Sequence, residues 1–211
     1  MDLKKIIDKV TGTPVASWLV PLINAYLTHD ERTEQDLKKI VNKTGRKIAC
    51  RPGCTACCKN QSIILSAFEI AGISYYICEI LDKEMQNRIV DKLERYTSET
   101  MECPFLIDER CSVYPLRPLV CRTFHVLDKE CTIQEDVSIT RPNDIALPSE
   151  ETAAHVAFEF LNIPQFGIRT LSQKKKEFKN GIMMKIMSPM HELNWSHLIE
   201  NIKRFSSNQN S

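Results

Sequence analysis

The stretch "CRPGCTACCK", residues 50–59, places four cysteines within nine positions of a 211-residue chain of otherwise ordinary composition. Cys50, Cys54, Cys57 and Cys58 follow the pattern C-x-x-x-C-x-x-C-C. A lone cysteine usually serves as a small buried apolar residue, but four so close together point to metal ligation. Thiolate sulfur suits zinc and iron–sulfur clusters, and a C-x-x-C spacing wraps two sulfurs around one centre through a tight loop. Pro52-Gly53 supplies residues for such a turn. Adjacent Cys57 and Cys58 leave the backbone in different directions, so they are expected not to be equivalent ligands of one mononuclear site.

A second group runs through "CPFLIDERCSVYPLRPLVCRTFH", with Cys103, Cys111 and Cys121, and Cys131 ten residues further on. Cys78 stands alone inside a helical pattern and is assigned to the core. That leaves eight cysteines, enough for two four-thiolate sites or for one cluster with spare thiols. In a regular hairpin turning at Asp108-Glu109-Arg110, Cys103 and Cys111 would sit about 13 Å apart along the strands, at about 3.4 Å per residue. Sulfurs on one tetrahedral zinc are only about 3.8 Å apart. Either the hairpin is irregular or these two cysteines do not share a metal. Pro118 can start a short helix, which would bring Cys121 and His125 onto one face at i and i+4, with His125 as a reserve ligand. Thiolates around a divalent ion carry excess negative charge, and Arg51, Lys59, Arg110, Arg117 and Arg122 lie beside the cysteines to offset it. Of these, Arg117 and Arg122 are the candidates to contact a bound cofactor.

The rest of the chain reads as helical scaffold. "DERTEQDLKKIVNKTG" offers Asp30 as an N-cap, a stripe of Leu37, Ile40 and Val41, and Gly45 as a stop. "SAFEIAGISYYICEIL" opens with Ser66 and Glu69 in capping-box spacing. A further helix is expected over about 83–98, with Met85, Ile89, Leu93 and Tyr96 on one face, so that the two form a hairpin between the cysteine groups. Ser149 begins another helix that Ile163-Pro164 ends, and "HELNWSHLIENIKRF" is the last. The expected fold is mainly α, with a small irregular cysteine-rich metal-binding core over residues 50–131 and room for one short β-hairpin. It is read as a single domain over 1–205 with a disordered tail at 206–211.

Lys plus Arg is 28 and Asp plus Glu is 27, so no overall charge pulls the chain toward nucleic acid or anionic membrane. No stretch has eighteen consecutive apolar residues and the N-terminus lacks a signal-peptide pattern, which predicts a cytoplasmic protein with reduced thiols. Six glycines include no G-x-G-x-x-G, Walker A or G-x-S-x-G motif, which argues against a nucleotide-loop enzyme or a serine hydrolase. The run Lys174-Lys175-Lys176 reads as a solvated face. Met183, Met184, Met187 and Met190 with His191 read as packing in preference to a copper(I) site. A protein partner is left open.

Together, "CRPGCTACC" and the ordered elements CPFL, C-x-V-Y, R-P and C-R resemble the YkgJ-like cysteine-cluster family, described as a zinc- or iron-chelating domain. The resemblance implies metal-binding roles for Cys50, Cys54, Cys57, Cys58, Cys103, Cys111 and Cys121. This chain has one extra residue in the first gap of the family's C-x-x-C-x-x-C-C, and Thr55 stands where glycine is common. Flagellin lysine N-methylase is among the members, which implies protein modification as an alternative activity. The spacing of Cys50, Cys54 and Cys57 is also similar to the cluster motif of radical S-adenosylmethionine enzymes, but Ala56 replaces the usual aromatic and no βα barrel is expected. The reading is therefore a metal-binding protein with a redox, chelating or structural role, an iron–sulfur cluster being favoured over zinc.

Overall fold

A computed structural model describes residues 2–11, 18–60, 63–97, 99–100, 102–133 and 135–208. The fold is mainly α. Among the described residues the helices are α1 (Leu3–Val10), α2 (Leu19–Thr44), α3 (Ala56–Asn60), α4 (Ala67–Ile80), α5 (Lys83–Glu94), α6 (Leu119–Thr123), α7 (Val137–Thr140), α8 (Glu150–Phe160), α9 (Leu171–Lys179), α10 (Ile182–Lys185) and α11 (Ser196–Asn208). Six short strands, β1 (Ile64–Ser66), β2 (Leu106–Ile107), β3 (Arg110–Cys111), β4 (His125–Val126), β5 (Ile145–Ala146) and β6 (Met187–Pro189), pair as β1–β6, β2–β3 and β4–β5. No helix among the described residues is long and apolar enough to cross a membrane. The chain divides into two compact units, one of residues 1–50, 119–130 and 143–187, the other of 51–118, 131–142 and 188–211. They interleave along the sequence, so no linker marks them where one domain is expected.

In the first unit α2 begins at Leu19, well before the expected cap at Asp30, because the apolar run ahead of Asp30 is itself helical. Gly45 ends the helix as predicted, at φ +71 with its N–H on the Val41 carbonyl. The buried face of α2 turns polar toward its C-terminal half, through His29, Thr33 and Asp36, and packs on α8. The predicted stripe is displaced outward: Leu37 and Val41, with Ile48, line a surface groove of about 440 Å³.

Asp36 explains why a carboxylate lies on the inner face. It accepts the Ser149 N–H at 2.9 Å and the Thr152 hydroxyl at 2.7 Å, so it covers the N-terminus of α8, while Lys39 pairs with its other oxygen at 3.1 Å. Burial opposes ionisation here, but the hydrogen bonds from Thr152, Ser149 and Lys39 outweigh it and hold the carboxyl well below the usual carboxylate range. A depressed folded-state pKa gives stability that is present above the unfolded value of about 3.9 and is lost as pH falls toward the folded one. Asp36→Asn should therefore cost about 1–3 kcal/mol at pH 7, and urea unfolding should show a smaller drop between pH 7 and pH 3 than in the wild type. An equal drop in both proteins would reject this role.

In the second unit the capping box at Ser66 and Glu69 forms as predicted and opens α4, which buries Cys78. α5 starts from an Asp82 cap and stops at Glu94, four residues short of the expected end, where Thr97 turns to bond the Thr100 hydroxyl. α11 lies against both α4 and α5. Its start is later than expected, at Ser196, whose N–H the Asn194 side chain accepts at 2.9 Å. Its end is later too: the helix passes through a buried Ser206 to Asn208, so the stretch expected to be a disordered tail is helical up to that residue. Residues 209–211 lie outside the described residues.

Lys174 to Lys176 fall on α9, which has no buried residue. The methionines form no shared stripe, since Met190 is buried in the core and Met184 is exposed.

Candidate metal centre

The first cysteine group is set by a turn and a short helix. The Cys54 N–H bonds the Arg51 carbonyl at 3.0 Å with Pro52 and Gly53 between them, and Gly53 stands at φ +83. That conformation suits a type II turn, with proline fixing the first central residue and glycine tolerating the second. The Cys58 N–H then bonds the Thr55 carbonyl at 2.9 Å and leads into α3. Cys57 and Cys58 are consecutive on this helix and point about 100° apart, as their adjacency requires.

The second group is an irregular hairpin, which resolves the spacing problem. β2 and β3 pair Leu106 with Cys111 and Ile107 with Arg110, so the turn is only Asp108-Glu109, both at positive φ. β2 does not extend back to Cys103. The Leu106 N–H bonds the Cys103 carbonyl at 3.0 Å, folding Cys103-Pro104-Phe105-Leu106 into a turn of its own. Phe105 anchors that turn: its ring is buried edge-on against Trp195, its N–H donates toward the Cys103 sulfur, and its carbonyl accepts both the N–H and the hydroxyl of Ser112. The Cys103 N–H bonds the Cys58 carbonyl at 2.7 Å, joining the two cysteine groups directly through backbone.

Electrostatics show the same convergence. Burial pushes the Cys58 thiol up to about 11, Cys111, Cys54 and Glu102 add to the rise, and Lys59 opposes it. Burial also raises the Cys103 thiol strongly, with Cys58, Cys111 and Glu102 acting in the same direction and the Phe105 N–H against them. Burial raises Tyr76 and Tyr96, and each also feels a cysteine, Cys111 for Tyr76 and Cys103 for Tyr96. Cys54 and Cys111 thus lie near Cys58, and Cys58 and Cys111 near Cys103, so a thiolate at one of them would disfavour ionisation of Cys58 or Cys103. At neutral pH a binding cation would have to displace the protons of Cys58 and Cys103. Among the described residues no three His, Cys, Asp or Glu side chains already stand as a set able to hold an ion.

A family model described as "CxxCxxCC: Putative zinc- or iron-chelating domain" matches residues 49–142. The chain is thus similar to this family over residues 49–142. Comparison with curated proteins and with solved structures gives no match. α2 and the helices from α8 onward lie outside the matched segment.

Cys50 and Cys121 belong to the first unit, and Cys131 to the second. The Cys50 sulfur accepts the Val126 N–H at 3.3 Å, beside the Ile48–Leu127 bridge. Cys121 is exposed on α6. His125 does not share its face, because α6 ends at Thr123 and His125 pairs with Ala146 in β4–β5. The i, i+4 expectation fails because the helix ends before His125.

Arg117 stacks 4.0 Å from the centroid of the Tyr114 ring and donates to the Tyr114 carbonyl at 3.1 Å. Arg122 has a side chain only 1% exposed, and it is engaged by Asp30 and Tyr26 of α2. Lys59 is a predicted counter-charge that acts on a site thiol, opposing the rise at Cys58. Phe105 and Glu109 escaped the sequence reading. The CPFL string contains the first, but nothing in it shows that Phe105 organises the sulfur of Cys103.

Proposed function

We propose that the CxxCxxCC domain is a metal-binding module whose ligands in the second unit are drawn from Cys54, Cys58, Cys103 and Cys111, with Cys57 and Cys131 as further donors. The supporting observation is the Cys103 N–H to Cys58 carbonyl bond at 2.7 Å, which couples the two thiol groups through rigid backbone. The donor set fits a soft or borderline metal, and the family description of zinc or iron chelation agrees with it. Our reading is an iron–sulfur cluster, for which the thiols in excess of four and the adjacent pair Cys57-Cys58 supply ligands. Such a group would supply one-electron redox chemistry, and the protein would supply burial, N–H donors to sulfur such as Phe105, and the charge of Lys59. Cysteines at this density, read as metal ligands, suit a reducing compartment, the cytoplasm.

Anaerobic purification followed by iron, acid-labile sulfide and zinc analysis tests the reading. Iron with matching sulfide supports a cluster, whereas stoichiometric zinc in a colourless protein replaces it with a zinc site. Cys58→Ser and Cys103→Ser should lower bound metal and stability together, since ligand binding to the folded state contributes to folding. Cys78→Ala, in the core of α4, should keep the metal. Fully folded protein carrying neither metal would overturn the proposal.

A further inference from the structure

The β2–β3 turn carries two residues that its backbone does not favour. Asp108 and Glu109 stand at φ +50 and +56, positions where a two-residue hairpin turn prefers Asn-Gly. Both keep a carboxylate, and both carboxylates are engaged. Asp108 takes a two-point ion pair from Arg88 of α5, at 2.8 and 2.6 Å. Glu109 Oε2 lies 2.5 Å from Lys59 Nζ and accepts the Thr55 hydroxyl at 3.3 Å. Thr55 follows Cys54 and Lys59 follows Cys58, so one carboxylate touches both sides of the Cys57-Cys58 pair. The hairpin itself joins Cys103, just ahead of β2, to Cys111, at the end of β3.

We propose that Glu109 is a positioning residue that, with Lys59 and Thr55, latches the Cys103–Cys111 hairpin across α3, and that release of this latch opens the thiol group to exchange. The Asp108–Arg88 pair fastens the other side of the turn to α5. The metal half of the proposal rests on the function proposed above, whereas the latch itself does not. Glu109 is 68% exposed and Lys59 23% at the side chain, so salt can screen the pair.

The test uses the full-length metal-free protein under reducing conditions and reads iodoacetamide labelling of Cys103 by mass spectrometry. The double variant Asp108→Asn, Glu109→Gly keeps a favourable turn and removes both carboxylates, so loss of the latch is separated from loss of the hairpin. Cys103 should label about fivefold faster in this variant at low salt, and the difference should close at high salt. Lys59→Glu should label faster as well, and combining it with Glu109→Lys should restore the wild-type rate. Unchanged Cys103 labelling in the double variant, or an increase that salt does not remove, overturns the latch. With protein loaded with zinc(II), the same variants should lose metal faster to a chromophoric chelator at unchanged stoichiometry. If no variant or wild type takes up metal while labelling responds as expected, the latch stands and the metal reading falls. If metal binds and both labelling and release are unaltered, the latch falls and the metal reading stands.

Discussion

Arg122→Ala should lower stability by about 3 kcal/mol, among the largest single effects in the protein. The guanidinium is buried, donates from Nη1 to Asp30 Oδ2 at 2.6 Å, and lies 4.3 Å from the centroid of the fully buried Tyr26 ring. Truncation removes an ion pair, a cation–π contact and the volume that covers Tyr26. Asp30 is 43% exposed and can recover water, which keeps the loss near the lower end of the range for broken buried pairs. Arg122→Met should therefore lose less, because it refills the space, and Arg122→Lys should fall between the two because it keeps charge without the planar stack. The next residue adds a second pin, with the Thr123 hydroxyl 2.9 Å from His29 Nε2. The measurement is the urea midpoint at constant slope, and a midpoint within error of wild type for Arg122→Ala would show that α6 is not held through this side chain.

Gln86→Glu should be at least as damaging, on the order of 3–4 kcal/mol, although it changes the side chain by a single group. The Gln86 amide is fully buried on α5 and donates to the carbonyls of Ile77 at 3.0 Å, Cys78 at 3.2 Å and Leu81 at 3.0 Å. It thereby serves the end of α4, where carbonyls lack helical partners. Its oxygen accepts the Ser206 hydroxyl of α11 at 2.5 Å, so one side chain ties three helices. A carboxylate would put negative charge against three carbonyl oxygens. Lowering the pH should return part of the loss, since a protonated Glu has a raised folded-state pKa here and is favoured below it. Gln86→Ala lacks that recovery and should cost about 2–4 kcal/mol at every pH. If Gln86→Glu and Gln86→Ala showed the same pH dependence, the carbonyl-facing arrangement would be wrong.

Local chemistry was legible in the sequence wherever it was self-contained. Ser66 with Glu69, Gly45 after Thr44, and Pro52-Gly53 ahead of Cys54 each state their geometry within four residues, and each forms as read. What was not legible depends on partners distant in sequence. Asp30 looks like a cap because Ser, Asp and Asn favour helix starts, but its carboxylate faces Arg122, 92 residues away. Asp36 and His29 look like solvent-facing polar residues until α8 and α6 supply Ser149, Thr152 and Thr123. At the candidate centre the cysteines themselves were visible. The turn at Phe105 was hidden, because alternation through "CPFLIDERC" reads equally well as a longer strand. The bond between Cys103 and Cys58 involves only backbone and leaves no residue-type signal at all.

The pairing of Gln86 with Ser206 spans 120 residues, and a ribosome works from one end. At about 5–20 residues per second, roughly 6–24 s pass between synthesis of the α5 side and the arrival of its α11 partner. Cys54, Cys57 and Cys58 exist throughout that interval, and Cys103 and Cys111 through most of it, on a nascent chain whose closing helix has not been made. Their first encounters with metal, oxidant or chaperone therefore fall within translation, and a stop codon that removes only the last helix would leave the cysteines intact while stripping away the element that α4 and α5 fold against.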